Sequence, residues 1–557
     1  MTLVRDKNYL SIVEYRQKTF NEALQSGEFQ PLVFPRDFIS LFLLITALLI
    51  KWPHHGVLRY GRCFFYCGIL YFNISTIKHC RIFGAGNGYG VGLIFSWFSL
   101  WSATLMLFTD PQRSFRRIER LFEIYRAEPS NNNNYTRNTD LSYQSNGTQP
   151  KCSENGCQSS SRKFEVREII SSVKLGEHGR PQEPVQRFRW QSYPGKQSMH
   201  RFLWVWDLTF NFRGPNWNWR VPQLPVLPNE VLLQLDHPST KVLNDTMIWK
   251  EDTKAQIKRT FARFLVYYFA LDVLKVVLMK DAYFIGHINT PPPLILEGLC
   301  GVSIAAFITR GYRITLSACG VFTTLEFISA LNETLMLCIS LSPLRYQTRS
   351  PIEASFIYPR YFGDILASFL DDGLAGGWRM GWHQFFRYAF VAPTYWLVSV
   401  LPPSLTRNPV TYRCLRILQI LVAFLFSGLL HASGSYTQWG PSNPLAGPLP
   451  FFLAQAVGII IQRSIAHILM SISPFKINRT LRRTSNLIYA LSWLYYSGKL
   501  VADDFALGGL WLTEPIPYSF LRAVGFGEHG GSWVCWSWRW FAAWKGEKWW
   551  DRGIQVL

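Results

Sequence analysis

The strongest constraint on this chain is a succession of apolar stretches, near 38–52, 57–75, 91–108, 262–279, 292–308, 313–341, 385–401, 413–431, 448–470 and 485–500. About twenty mostly apolar residues cross the hydrocarbon core of a bilayer. Several stretches are interrupted by Arg, Gly or Pro, so the expectation is about eight to ten crossings. The fold class that follows is an all-α integral membrane protein, a multi-pass helical bundle. Composition agrees: 48% of the 557 residues are hydrophobic and 17% charged, against roughly 25% charged in soluble domains. The residues ahead of 38 are polar and show no cleavable signal pattern, so the first span is expected to act as the targeting signal.

A net charge of +21 raises nucleic acid as a partner, but the basic residues cluster beside apolar spans. RSFRRIERLFEIYR (113–126) follows the third span, and Lys and Arg are retained on the cytosolic side. Acidic lipid headgroups are the plainer partner, and no nucleic-acid role is expected. The ten cysteines are scattered. Cys63 and Cys67 sit one helical turn apart and Cys152 and Cys157 fall in a polar stretch, so the reading is reduced thiols and no metal site. The sequon Asn146-Gly147-Thr148 falls on the expected cytosolic side and should be unmodified.

Three regions are expected: a membrane region over 1–110, a polar cytosolic loop over 111–255, and a membrane core over 256–557. Within the loop, 131–163 is poor in hydrophobic residues and rich in Asn, Ser and charge, which predicts disorder. WVWDLTFNFRGPNWNWRVP (204–222) and SWVCWSWRWFAAWKGEKWW (532–550) combine Trp with cations and read as interfacial segments. GAGNGYGVG (84–92) lacks the spacing of a dinucleotide or phosphate loop and reads as a flexible turn into the third span.

Ionisable groups stand out against this apolar background. His431 closes the run FLFSGLLHAS (424–433), and such a group at membrane depth usually marks a function. DDGLAGGWRMGWHQFFRYAFVAPTYW (371–396) holds a second histidine, His383. On a helix, Trp378 and Trp382 would share a face, as would His383 and Arg387. His54 and His55 read as a solvated turn, and His467 as structural.

Taken together, these residues resemble the membrane-bound O-acyltransferase superfamily, and within it the fungal wax synthase-like branch. The resemblance rests on Trp382-His383-Gln384, on Ser427-Gly428-Leu429-Leu430-His431, and on RGPNWNW (213–219). YPRYFGDI (358–365) and GGLWLTEPIPYSFLRAVGFG (508–527) add to it. Two positions depart from the pattern. Many superfamily members have Asn where His383 stands, and GLAGGWRMG replaces a double-Arg segment, leaving Arg379 as its one basic residue.

The resemblance implies transfer of an acyl group from coenzyme A to a hydroxyl within the membrane. It implies acyl-CoA as co-substrate, expected to be acetyl-CoA, with no bound cofactor and no metal. An alcohol attacks a thioester poorly until deprotonated, and imidazole is the usual base near neutral pH. His431 is therefore the expected general base, and His383 the expected donor to the oxyanion or holder of the thioester. Trp378, Arg379, Trp382, Arg387 and Ser427 are expected to bind substrate or coenzyme A. Ser427 lies one turn before His431, so an acyl-enzyme route is conceivable. Direct transfer is preferred, because no acidic residue lies nearby in sequence to orient the imidazole. The expected acceptor is a hydrophobic secondary metabolite, a terpenoid or meroterpenoid, at the endoplasmic reticulum membrane. Long-chain wax-ester synthesis is the alternative within the family. A transporter is the alternative outside it, against which stands the lack of an internal repeat. A non-catalytic membrane scaffold is a third class.

Overall fold

The computed structural model describes residues 9–53, 60–123, 185–236, 253–341, 360–472, 478–527, 531–536, 540–546 and 548–557. The stretch 131–163, the Asn146 sequon, His54, His55, Cys152 and Cys157 lie outside them. The main helices are α1 (Tyr9–Gln25), α2 (Ile39–Leu49), α3 (Gly61–His79), α4 (Tyr89–Ala103), α5 (Met199–Phe210), α6 (Asn229–Asp236) and α7 (Thr253–Met279). They continue with α8 (Leu294–Cys300), α9 (Val302–Leu341), α10 (Ile365–Gly376), α11 (Arg387–Val400), α12 (Pro409–Thr437), α13 (Pro448–Ile472) and α14 (Arg479–Gly508).

Local sequence explains where the long helices begin. Asn408 caps α12, its side chain accepting from the Val410 N–H at 2.9 Å, with Pro409 pre-set for the first turn. Asn478 caps α14 and Asp364 caps α10 in the same way. Among the described residues, Gly86–Phe108, Val302–Ile339, Pro409–Thr437 and Pro448–Ile472 are long and apolar enough to cross a membrane. Along α12, Leu418, Leu421, Leu425 and Leu429 are exposed at helical spacing, a stripe that suits lipid tails rather than water.

The expected spans 38–52 and 385–401 form helices of 11 and 14 residues, roughly 16 and 21 Å against a core of about 30 Å. The stretches 292–308 and 313–341 do not form two spans. The short α8 stops at Gly301, whose φ is +82°, and α9 then runs unbroken for 40 residues. The charged residues that suggested a break at 310–313 have partners outside the helix. Arg313 pairs with Asp281 at 2.8 Å, and Arg310 donates to the Tyr496 carbonyl.

The tryptophan-rich 204–222 segment is core, not an interfacial belt. Trp204 and Trp217 are fully buried and Trp219 nearly so. They pack with Trp97 and Trp101 from the first membrane region and with Phe115 just beyond it, Trp204 meeting Trp217 edge-to-face at 4.9 Å. Edge and offset ring contacts let large side chains fill one core without leaving gaps. Only Trp206, on the outer face of α5, stays exposed.

Two small sheets accompany the helices. β3 (Arg117–Glu123) and β4 (Val185–Gln191) pair antiparallel, Arg117 opposite Gln191. The second sheet has the order β2-β1-β6-β5. There β1 (Gln30–Phe34) lies parallel to β2 (Cys80–Arg81) and antiparallel to β6 (Arg552–Val556), which pairs with β5 (Phe541–Lys545). Part of the tryptophan-rich tail is therefore strand, while Trp549 and Trp550 stay exposed.

Candidate active site

The glycine-rich 84–92 segment positions the first part of the site. Gly86, Asn87 and Gly88 take positive φ values of 64°, 49° and 82°, which turns the chain sharply into α4. Asn87 holds that turn by donating to the Trp439 carbonyl at 2.9 Å and to the Gly508 carbonyl. α4 then lies directly on α12. A Cβ at Gly92 would sit 1.8 Å from the Ser433 carbonyl oxygen, and one at Gly434 would sit 2.9 Å from the Tyr89 ring. Thr437 Oγ1 accepts from the Gly92 N–H and donates to the Gly88 carbonyl, each at 2.9 Å. Small residues let helix backbones approach this closely. The result is that the Tyr89 Oη lies 2.7 Å from His431 Nδ1.

His431 is half-buried on α12, its ring stacked on Phe452 of α13 at 4.5 Å and 14°. With Nδ1 engaged by Tyr89, Nε2 is the nitrogen left for proton transfer. For Nε2 to act as a base, Nδ1 must carry the ring proton and donate it to the Tyr89 oxygen. Ser427 stands half-buried one turn earlier, and the partner of the imidazole is Tyr89 rather than Ser427.

The 371–396 segment is not the continuous amphipathic helix that spacing predicts. α10 kinks at Gly373 (φ +63°), where a Cβ would strike the Gln462 amide. A π-helical turn over Gly377–Gly381 follows, and the chain is then irregular until α11 starts at Arg387. His383 and Arg387 therefore share no helical face. Trp378 and Trp382 do meet, edge-to-face at 5.8 Å. Gln223, just past the RGPNWNW turn, fixes this irregular piece by donating to the Met380 and Trp382 carbonyls at 2.8 and 3.3 Å.

A continuous set of rings joins the two histidines. Phe452, stacked on His431, lies 5.9 Å from Trp378; Trp378 meets Trp382, and Trp382 lies 5.6 Å from His383. His383 Nδ1 is buried without a hydrogen-bond partner, as are both amide atoms of Gln384 and the Trp378 indole nitrogen. Unpaired buried polar atoms are rare and need an explanation, such as a bound polar group. Burial, with the charges of His431 and Arg213 adding to it, pushes the His383 imidazole down to about 3, so it is neutral near pH 7.

Arg379 is half-exposed and pairs with Asp372 at 2.5 Å. Arg387 donates to the Arg379 carbonyl at 2.9 Å, which ties the two residues together. His467 is exposed on α13. Among the described residues no His, Cys, Asp and Glu group can hold a metal ion.

Residues 358–454 match the membrane bound O-acyl transferase family. That segment is similar to the family, and it covers well under half of the chain. Two relatives are the O-mevalon transferase macI of Penicillium terrestre and the O-mevalon transferase yanI of Aspergillus niger. The first is 26% identical over 270 residues, and the second 24% over 269. Each alignment covers 47% of this chain and 52% of the relative, so the chain spans about half the length of the curated relatives it matches. No solved structure matches. The family segment contains His383, Ser427, His431 and Phe452, whereas Tyr89 lies far outside it. Sequence reasoning missed Tyr89 because it took the glycines for a loop. Gly88 and Gly92, which meet the Thr437 and Ser433 carbonyls, opposite Gly434, which meets the Tyr89 ring, are the signal of a close helix crossing.

Proposed function

We propose that the chain is a membrane-embedded O-acyltransferase that moves a short acyl group, acetyl, from a coenzyme A thioester to a hydroxyl of a hydrophobic metabolite such as a terpenoid or meroterpenoid. The single observation that carries the reading is His431, on a helix long and apolar enough to cross a membrane, with Nδ1 held by Tyr89 and Nε2 free of that bond. His431 Nε2 takes the acceptor's hydroxyl proton as the oxygen attacks the thioester carbon. A C–O bond forms and the C–S bond breaks. The proton passes from Nε2 to the departing sulfur, giving free coenzyme A. His383, neutral, donates a hydrogen bond to the oxyanion of the tetrahedral intermediate. The aromatic lining between the histidines suits a rigid ring system and keeps water from competing. Arg379 and Arg387, tied together by a hydrogen bond, are the proposed partners of the coenzyme A phosphates, and the endoplasmic reticulum membrane is the proposed setting.

A second reading of the donor comes from the relatives' name, O-mevalon transferase. Purified protein offered acetyl-CoA, palmitoyl-CoA and a mevalonyl thioester, each with a terpenoid and a fatty alcohol, decides among them. The expected product is an acetyl ester of the terpenoid alcohol. Loss of the base should cost about 10²–10⁴-fold, so His431→Ala retaining half of wild-type turnover would remove His431 from the mechanism. Palmityl esters of the fatty alcohol would favour wax-ester synthesis, and no ester from any pair would end the acyltransferase reading.

A further inference from the structure

His431 and Tyr89 are flanked by a third polar residue, supplied by a helix more than four hundred residues from Tyr89 in sequence. Asp504 of α14 is 1% exposed. Its Oδ1 accepts from the Ser435 hydroxyl at 2.8 Å and from the Asn443 N–H at 2.7 Å. Ser435 lies one turn beyond His431 on α12. Asp504 Oδ2 is buried and has no hydrogen-bond partner. The next residue, Phe505, packs edge-on against the Tyr89 ring at 5.5 Å, and Gly434, the neighbour of Ser435, faces the hydroxyl-bearing carbon of that ring so closely that a Cβ there would sit 2.9 Å from it, so Asp504 and Tyr89 meet the same turn of α12.

Those contacts have a directional consequence. A phenol beside an anion turns the hydrogen of its O–H toward the negative charge and its lone pairs away. The Tyr89 oxygen then presents a lone pair to His431 Nδ1, which can satisfy it only by carrying the ring proton. We propose that Asp504 is a positioning residue for His431, acting through Tyr89 to fix the tautomer whose free nitrogen is Nε2 and to favour the imidazolium once Nε2 is protonated. This rests on the acyltransferase reading, in which Nε2 is the base. The logic parallels a buried carboxylate that orients a histidine, with a phenol interposed. A purely structural role is the competing account, because the same carboxylate ties α14 to the end of α12 and to the loop at 443.

The test separates the two accounts in the full-length protein. Asp504→Asn keeps an acceptor oxygen for Ser435 and Asn443 and removes the charge. Two quantities are measured: kcat and KM for the acyl donor, and the pH midpoint of deuterium exchange at the His431 ring carbon between its nitrogens, read by mass spectrometry. The other ionisable groups around His431 are Tyr89 on α4 and His383 ahead of α11, with Arg213 beyond it; Phe452 on α13 carries no charge. The expected result is a fall in kcat of about tenfold or more, a KM within about twofold, an exchange midpoint moved to lower pH, and an unchanged melting temperature. Unchanged kcat and midpoint would overturn the proposal and leave Asp504 a brace. Should Asp504→Asn not fold, Tyr89→Phe removes the intervening oxygen and leaves the brace intact. An unmoved midpoint in that variant overturns the proposal equally. Absence of acyl transfer by the wild type would sink the acyltransferase reading, while the exchange midpoint still decides the role of Asp504.

Discussion

Gly92→Ala and Gly90→Ala make a matched pair, because the two glycines lie two residues apart on one helix and meet opposite surroundings. A Cβ at Gly90 finds nothing within 4 Å, and one at Gly92 finds the Ser433 carbonyl oxygen at 1.8 Å. Real Cβ atoms do not come closer than 3.0 Å, so moving from 1.8 to 3.0 Å parts α4 from α12 by about 1.2 Å. Backbone on both sides of the contact leaves no flexible side chain to absorb the change. The Tyr89–His431 separation of 2.7 Å then opens to about 3.9 Å, beyond hydrogen-bonding distance. A buried hydrogen bond lost in this way costs about 1–3 kcal/mol, or about 5- to 150-fold in rate. The assay is acyl transfer by protein in nanodiscs, with thermal unfolding measured alongside. Gly92→Ala should fall to the level of Tyr89→Phe, and combining the two should cost little more. Gly90→Ala should match wild type, helped slightly by alanine's helix preference. Equal activity for the two glycine variants would refute the claim that close approach of α4 positions His431.

Two further outcomes are expected. His383 is held down to about 3 by burial, while an unfolded histidine titrates near 6.5. Between those values the unfolded chain binds a proton that the folded one does not, so stability falls as pH drops below 6.5, by up to about 1.4 kcal/mol per unit. His383→Asn should therefore lose less melting temperature than wild type between pH 6.5 and pH 4; identical acid sensitivity would contradict the assignment. Trp217 is fully buried against Trp204, and Trp217→Ala should destabilise by about 3–5 kcal/mol, read by chemical unfolding in detergent.

The helical, membrane-embedded character of the chain was legible in its apolar runs, most of which fall on helices though not all on separate spans. What the runs could not reveal is how interruptions are resolved. Arg310 and Arg313 sit inside α9 without ending it, because their partners, Tyr496 and Asp281, come from elsewhere in the chain. Tryptophans beside arginines carry the composition of a membrane interface. Those at 204–219 are nevertheless core, since a ring is placed by the other rings available to pack on it. At the candidate site, His431 and His383 were visible as ionisable groups in apolar surroundings. Tyr89 and Asp504 were not, because each reaches the site only through the packing of α4 and α14 onto α12. Periodicity reports the face of a helix and not its neighbour.

Pairing of β1 with β6 sets an order of events during synthesis. Val33 lies opposite Gln555 in that ladder, so a strand made near the start waits for one made more than five hundred residues later. At elongation rates of about 5–20 residues per second, that delay is on the order of half a minute to two minutes. Throughout it β1 has one unpaired edge, the kind of edge that recruits foreign strands. A chain that stops before 552 therefore leaves that edge of β1 open.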